Sequence, residues 1–160
     1  MSEHSAVVEW QRATPDFAYA TYDRSHRVRF AQGLEYPAGA APENIPATAP
    51  RPPGVDPEQA FVASLSSCHM LWFLHLAVNR KFIVDRYTDH AVGVLDKNAD
   101  GRMAMTRVTL RPSVAFGGAS PSTEQLRYLH EKAHERCFIA NSVRTEVIIE
   151  PQRQTSTENP

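Results

Sequence analysis

Apolar residues run from Phe61 to Val78 with only Ser64, Ser66, Ser67, His69 and His75 interrupting them. Asp56-Pro57-Glu58-Gln59 opens this run as a helix. Asp56 is placed to cap it, Pro57 suits the first turn, and Gln59 completes a capping box. The pattern predicts a helix from Pro57 to about Arg80 that is apolar all round. Such a helix must be wrapped on every side, here partly by a second subunit.

Elsewhere the pattern changes period. Ala18 to Phe30 alternates like a strand, with a turn at Asp23-Arg24-Ser25-His26. The stretch from Pro37 to Pro57, ends included, holds seven of the twelve prolines, with Gly39 and Gly54. That composition predicts a long surface loop. Val84–Leu95 and Met103–Val114 alternate as strands around the turn sequence Asn98-Ala99-Asp100-Gly101. A second helix starts at Ser120-Pro121 and carries Leu126, Leu129, His130, Ala133, His134 and Cys137 on one stripe. Thr145–Ile149 is a last strand. The order of elements predicts a single α+β domain over residues 1–160, with 1–14 and 151–160 as loose tails.

Composition narrows the function. The 17 basic and 18 acidic residues leave no cationic excess, and no basic stripe alternates with aromatics, so a nucleic-acid partner is not expected. The N-terminus lacks a basic region followed by an apolar one, which argues against secretion. The Phe61–Val78 run carries serines and histidines and reads as a buried core helix, not a membrane span. A cytoplasmic protein is expected, and cysteines in that compartment are more often free, catalytic or metal-binding than structural staples.

Cys68 lies mid-helix, where it forfeits the N-terminal dipole that activates many thiols. Taken alone it is a small buried hydrophobe. If reactive, its thiolate needs a cation from elsewhere, and Arg24 is the candidate, with Glu58 to orient it. Arg24 in isolation is a solvated turn residue, and Glu58 a carboxylate suited to a helix start. Ten residues of helix put Glu58 about 15 Å from Cys68. A reaching arginine, a helix break or a partner subunit must therefore bridge them. Cys137 ends the stripe of His130 and His134. Those three with Cys68 or His69 are a conceivable zinc set, but not in a paired CxxC or HExxH spacing. A Cys68–Cys137 disulfide is open on spacing alone. The Gly-x-Ser-x-Gly elbow of a serine hydrolase is absent.

Three stretches together resemble the OsmC/Ohr family of osmotically inducible and organic-hydroperoxide-resistance proteins. They are Asp56–Phe61 with Ala63–His69, His134–Cys137 with Asn141-Ser142, and Tyr22–His26. The resemblance spans roughly residues 18–149, and Phe138 departs from it where many members carry proline. It implies an OsmC-like fold, antiparallel sheets around a long buried central helix, in an intertwined homodimer. It also implies Cys68 as peroxidatic thiol, Cys137 as resolving thiol, Arg24 as thiolate partner and Glu58 as the orienter of that arginine. The reaction implied is reduction of an organic hydroperoxide through a Cys68 sulfenic acid and a Cys68–Cys137 disulfide. A dithiol reductant, lipoyl-linked in some members, then reopens the disulfide. No metal or organic cofactor is expected. Phe61, Leu65, Met70, Leu71 and Trp72 are the residues expected to give an apolar pocket. The rival reading is a non-catalytic small-molecule-binding or stress protein of the same fold with structural cysteines.

Overall fold

The structure, a computed structural model, describes residues 1–13 and 15–152. The chain divides between Ala60 and Phe61 into two compact units.

In the first unit, β1 (Ala6–Glu9), β2 (His26–Phe30) and β3 (Glu35–Ala38) form an antiparallel sheet in that order. Part of the polar N-terminal run is thus a strand, set by register pairs such as Val8 with Val28. The strand pattern read from Ala18 onward shrinks to β2. Ahead of it, the amides of Thr21 and Tyr22 both bond the Ala18 carbonyl, and the Asp23 carboxylate accepts the Ser25 amide at 2.8 Å. These local bonds hold a turn in place of a ladder. The proline-rich stretch is irregular but anchored. Val55 bridges Ala38, its amide bonding the Pro37 carbonyl at 3.0 Å. At Gly54 a Cβ would stand 2.9 Å from the Ala38 backbone carbon, so this crossing needs glycine.

The long helix α1 spans Pro57–Asn79. Its start follows the expected capping box: the Gln59 amide donates to Asp56 Oδ1 at 2.7 Å, and Gln59 Oε1 accepts the Asp56 amide at 3.3 Å. By length and composition α1 also meets the requirement for crossing a membrane. In this fold it packs instead as the core helix of the second unit.

Two sheets accompany it there. One pairs β4 (Val84–Asp89) with β7 (Pro112–Phe116); the other has the order β5 (Val92–Lys97), β6 (Met103–Leu110), β8 (Glu146–Ile149). All pairs are antiparallel except β6 with β8, which is parallel. The two long strands expected from sequence are therefore four. The break falls at Asp89 and Arg111, where Asp89 accepts the Arg111 amide at 2.6 Å and the Ser66 hydroxyl at 2.5 Å. The turn at Asn98–Gly101 forms as expected, with Gly101 at φ 74°. The second helix, α2, covers Thr123–Arg136 and starts two residues later than read, at a Ser122/Gln125 capping box.

Two apolar cores result. Phe73, Leu76 and Ala77 of α1 meet Leu129 and Ala133 of α2, and Leu65 meets Val108 and Leu110 of β6. The buried stripe of α1 is Leu65, His69, Phe73, Leu76 and Ala77. Its opposite stripe, including Leu71 and Val78, is 60% and 71% exposed in the single chain. The fold alone does not wrap the helix on every side.

Candidate active site

Cys68 sits halfway along α1, at the border between its buried and exposed stripes, and is half-buried. Cys137 is the C-cap residue of α2 and is completely buried. Both thiols are free, and the Cys137 side chain lies within hydrogen-bonding reach of Cys68. Burial pushes the Cys137 thiol up to about 11, and its contact with Cys68 adds to the shift. The Ala140 amide, donating to Cys137 Sγ at 3.4 Å, works against that shift. Cys137 therefore rests as a protonated thiol at neutral pH.

Cys68 faces a cavity of about 510 Å³ whose walls include Leu71, Trp72, Phe138 and Ile139, with His75 and Ser64 at its polar edge. Trp72 meets Phe138 edge-on, ring centroids 5.4 Å apart. Leu71 and Trp72 are pocket residues as the sequence suggested. Leu65 is a fully buried core residue instead, and Phe61 packs beside it. The contribution of Phe138 and Ile139 was missed. Their one legible signal is two large apolar residues directly after a cysteine at a helix end.

Behind the thiols, His69 Nε2 lies 3.1 Å from His130 Nδ1, both rings buried. Burial lowers the His69 pKa to about 3 and that of His130 to about 4, and the nearby His130 and His134 push His69 further in the same direction. Both are neutral imidazoles. Among the described residues no three His, Cys, Asp or Glu side chains gather as metal ligands. The His130 stripe thus faces its own core.

Arg24 and Glu58 belong to the first unit and line one cavity of about 420 Å³ with Tyr19, Tyr22 and His26. The Arg24 guanidinium donates to the carbonyls of Tyr22 at 3.1 Å and Tyr19 at 2.9 Å, and lies 3.8 Å above the Tyr22 ring. No ion pair joins it to Glu58, whose Oε2 is buried without a partner. Sequence reasoning brought these two side chains to one site and did not foresee the tyrosine cradle.

The second unit thus presents an α+β scaffold with two thiols side by side at the meeting of two helices, opening on an apolar cavity. Residues 50–152 match the OsmC-like protein family, and the chain belongs to that family. It is 48% identical to an OsmC-like protein of unknown function from Vibrio cholerae, covering 95% of this chain and 100% of that one with a TM-score of 0.86. The organic hydroperoxide resistance protein OhrB of Bacillus subtilis shares the fold at 21% identity, 96% and 98% coverage and a TM-score of 0.65. An organic hydroperoxide resistance protein from Elizabethkingia anophelis does so at 18% identity, 98% coverage of both chains and a TM-score of 0.68. A comparison with curated proteins yields no match.

Proposed function

We propose that this protein is a cytoplasmic, thiol-dependent peroxidase that reduces organic hydroperoxides at Cys68. The observation that carries the reading is the buried Cys137 thiol beside a half-buried Cys68 that faces an apolar cavity. The Cys68 thiolate attacks the terminal peroxide oxygen, the O–O bond breaks, and the alkoxide leaves after taking a proton, as an alcohol. The sulfenic acid left on Cys68 condenses with Cys137 to give a disulfide and water. A dithiol reductant returns both thiols and is itself oxidised to a disulfide. The walls formed by Leu71, Trp72 and Phe138 favour alkyl and lipid peroxides over hydrogen peroxide. Arg24 is the cation for the Cys68 thiolate in this reading, its guanidinium held by the carbonyls of Tyr19 and Tyr22, with Glu58 lining the same cavity.

The working unit is a homodimer. Leu71 and Val78 on the exposed stripe of α1 are the surface a second copy covers, and that copy would also roof the cavity, since Leu71 lines both. The test is consumption of an organic hydroperoxide in the presence of dihydrolipoamide by the wild type and by Cys68→Ser. Turnover by the wild type and none by the variant supports the reading. No turnover by either, with Cys68 unreactive to stoichiometric peroxide, leaves the non-catalytic binding protein in its place.

A further inference from the structure

The contact between α1 and α2 is largely apolar, with Arg136 over the Trp72 ring and the Cys68–Cys137 thiol pair as polar points beside it. Phe73, Leu76 and Ala77 pack on Leu129 and Ala133. In the same seam His69 and His130 face each other with ring planes parallel to within 3° and a single N···N hydrogen bond of 3.1 Å. Their exposures are 1% and 3%, so no solvent reaches either ring.

This pair is not there for stability. Between two neutral imidazoles one ring donates and the other accepts, whichever tautomers they adopt. The outer nitrogens, Nδ1 of His69 and Nε2 of His130, are both buried without a partner. Either tautomer therefore leaves one N–H and one lone pair unmet. Two unmet buried groups cost more than one hydrogen bond returns, and apolar side chains of similar volume would make a firmer seam.

What the bond does supply is direction. Contacts among Phe, Leu and Ala are non-directional and tolerate a helix sliding or turning on its axis. A hydrogen bond has a required distance and angle. A buried hydrogen bond in a largely apolar helix seam is a known way of fixing register at a cost in stability. Its position is chemically pointed. His69 follows Cys68 directly on α1, and His130 lies seven residues before Cys137 on the same stripe of α2. A slip of one residue along either helix moves a sulfur by about 1.5 Å. Disulfide geometry does not tolerate much of that, because the two Cα atoms must stay within a narrow range of separation.

We infer that His69 and His130 are positioning residues for disulfide formation: their hydrogen bond fixes the register of α1 against α2 and so the alignment of Cys137 with Cys68. In the catalytic cycle, a role that rests on the peroxidase reading, they govern the resolving step. There the sulfenic S–O bond breaks, the S–S bond forms, and the Cys137 proton leaves with the hydroxyl as water. They do not govern the first attack on peroxide, which does not involve Cys137.

The experiment compares wild type with His69→Leu/His130→Leu. In a glutathione redox buffer the double variant requires a roughly tenfold more oxidising ratio to form the Cys68–Cys137 disulfide, because the effective concentration of the two thiols has fallen. After one equivalent of an alkyl hydroperoxide, its sulfenic acid forms at the wild-type rate and closes to the disulfide about tenfold more slowly. The conservative pair His69→Gln/His130→Asn puts amide groups where the bonded nitrogens stood and restores both values. If the leucine variant does not fold, His69→Gln/His130→Leu, which has the amide but no partner for it, takes its place against the same conservative pair. Wild-type disulfide formation in the bond-breaking variant, or failure of the conservative pair to restore it, overturns the inference. The redox-buffer measurement uses no peroxide, so it decides the register role even if the protein proves not to be a peroxidase.

Discussion

The Cys137 thiol lies against Cys68, buried and protonated, although 69 positions of sequence separate them, as the difference 137 − 68 gives. One thiol faces the cavity and the other stands behind it. That division of exposure suits the proposed cycle, in which Cys68 meets substrate and Cys137 waits for the sulfenic acid.

Cys68→Ser should abolish peroxide consumption, because a neutral hydroxyl cannot replace a thiolate nucleophile. Cys137→Ser should complete one turnover and stall, leaving a sulfenic acid that dimedone traps. Mass spectrometry of the dimedone adduct checks both. Continued cycling of Cys137→Ser with a small dithiol would remove Cys137 from the cycle.

Leu71 and Val78 should lie in a dimer interface, since leaving such side chains in water forgoes about 1.5–3 kcal/mol each. Sedimentation at micromolar concentration should give a dimer, and Val78→Glu should shift it toward monomer. A monomeric wild type would show that the exposed stripe of α1 is not covered by a second copy.

Arg24→Ala should slow peroxide reduction by a factor on the order of a hundred or more, since a guanidinium is the cation assigned to the Cys68 thiolate. Glu58→Ala should slow it less, because it keeps the Arg24 charge, which the carbonyls of Tyr19 and Tyr22 still hold. Alkylation of Cys68 at neutral pH reads the same effect without peroxide. Unchanged alkylation in Arg24→Ala would transfer the role to another cation, with Arg27 and Arg29 nearest in sequence.

Stability should fall in mild acid through the histidine pair. Burial depresses the folded-state pKa values of His69 and His130 to about 3 and about 4, from 6.5. The unfolded chain therefore binds more protons between these values. The pair's contribution is complete above pH 6.5 and is lost as pH falls through 6.5 toward 4 and 3. Going from about pH 7.5 to about pH 5 should cost on the order of 2 kcal/mol for each histidine. Urea midpoints should show this loss in the wild type and a smaller one in His69→Leu/His130→Leu. Equal losses in both would place the acid sensitivity elsewhere.

The two helices and the cap of the first were legible in the sequence because they are local. A capping box needs residues three apart, and Asp56/Gln59 is formed as the pattern says. The turn at Asn98–Gly101 is likewise local chemistry, written in the types of four adjacent residues. The division of each long alternating stretch into two strands was not legible. It depends on Asp89 reaching the Arg111 amide, a contact 22 positions away that no spacing announces. The resemblance named Cys68 and Cys137 as a pair, but their contact comes from α2 lying along α1. What only the tertiary structure decided was which face of an almost uniformly apolar helix would be buried. A helix without a polar side carries no periodic signal of orientation, so the sheets and α2 had to choose it. In choosing, they turned His69 inward onto His130 and left Cys68 at the edge of the cavity.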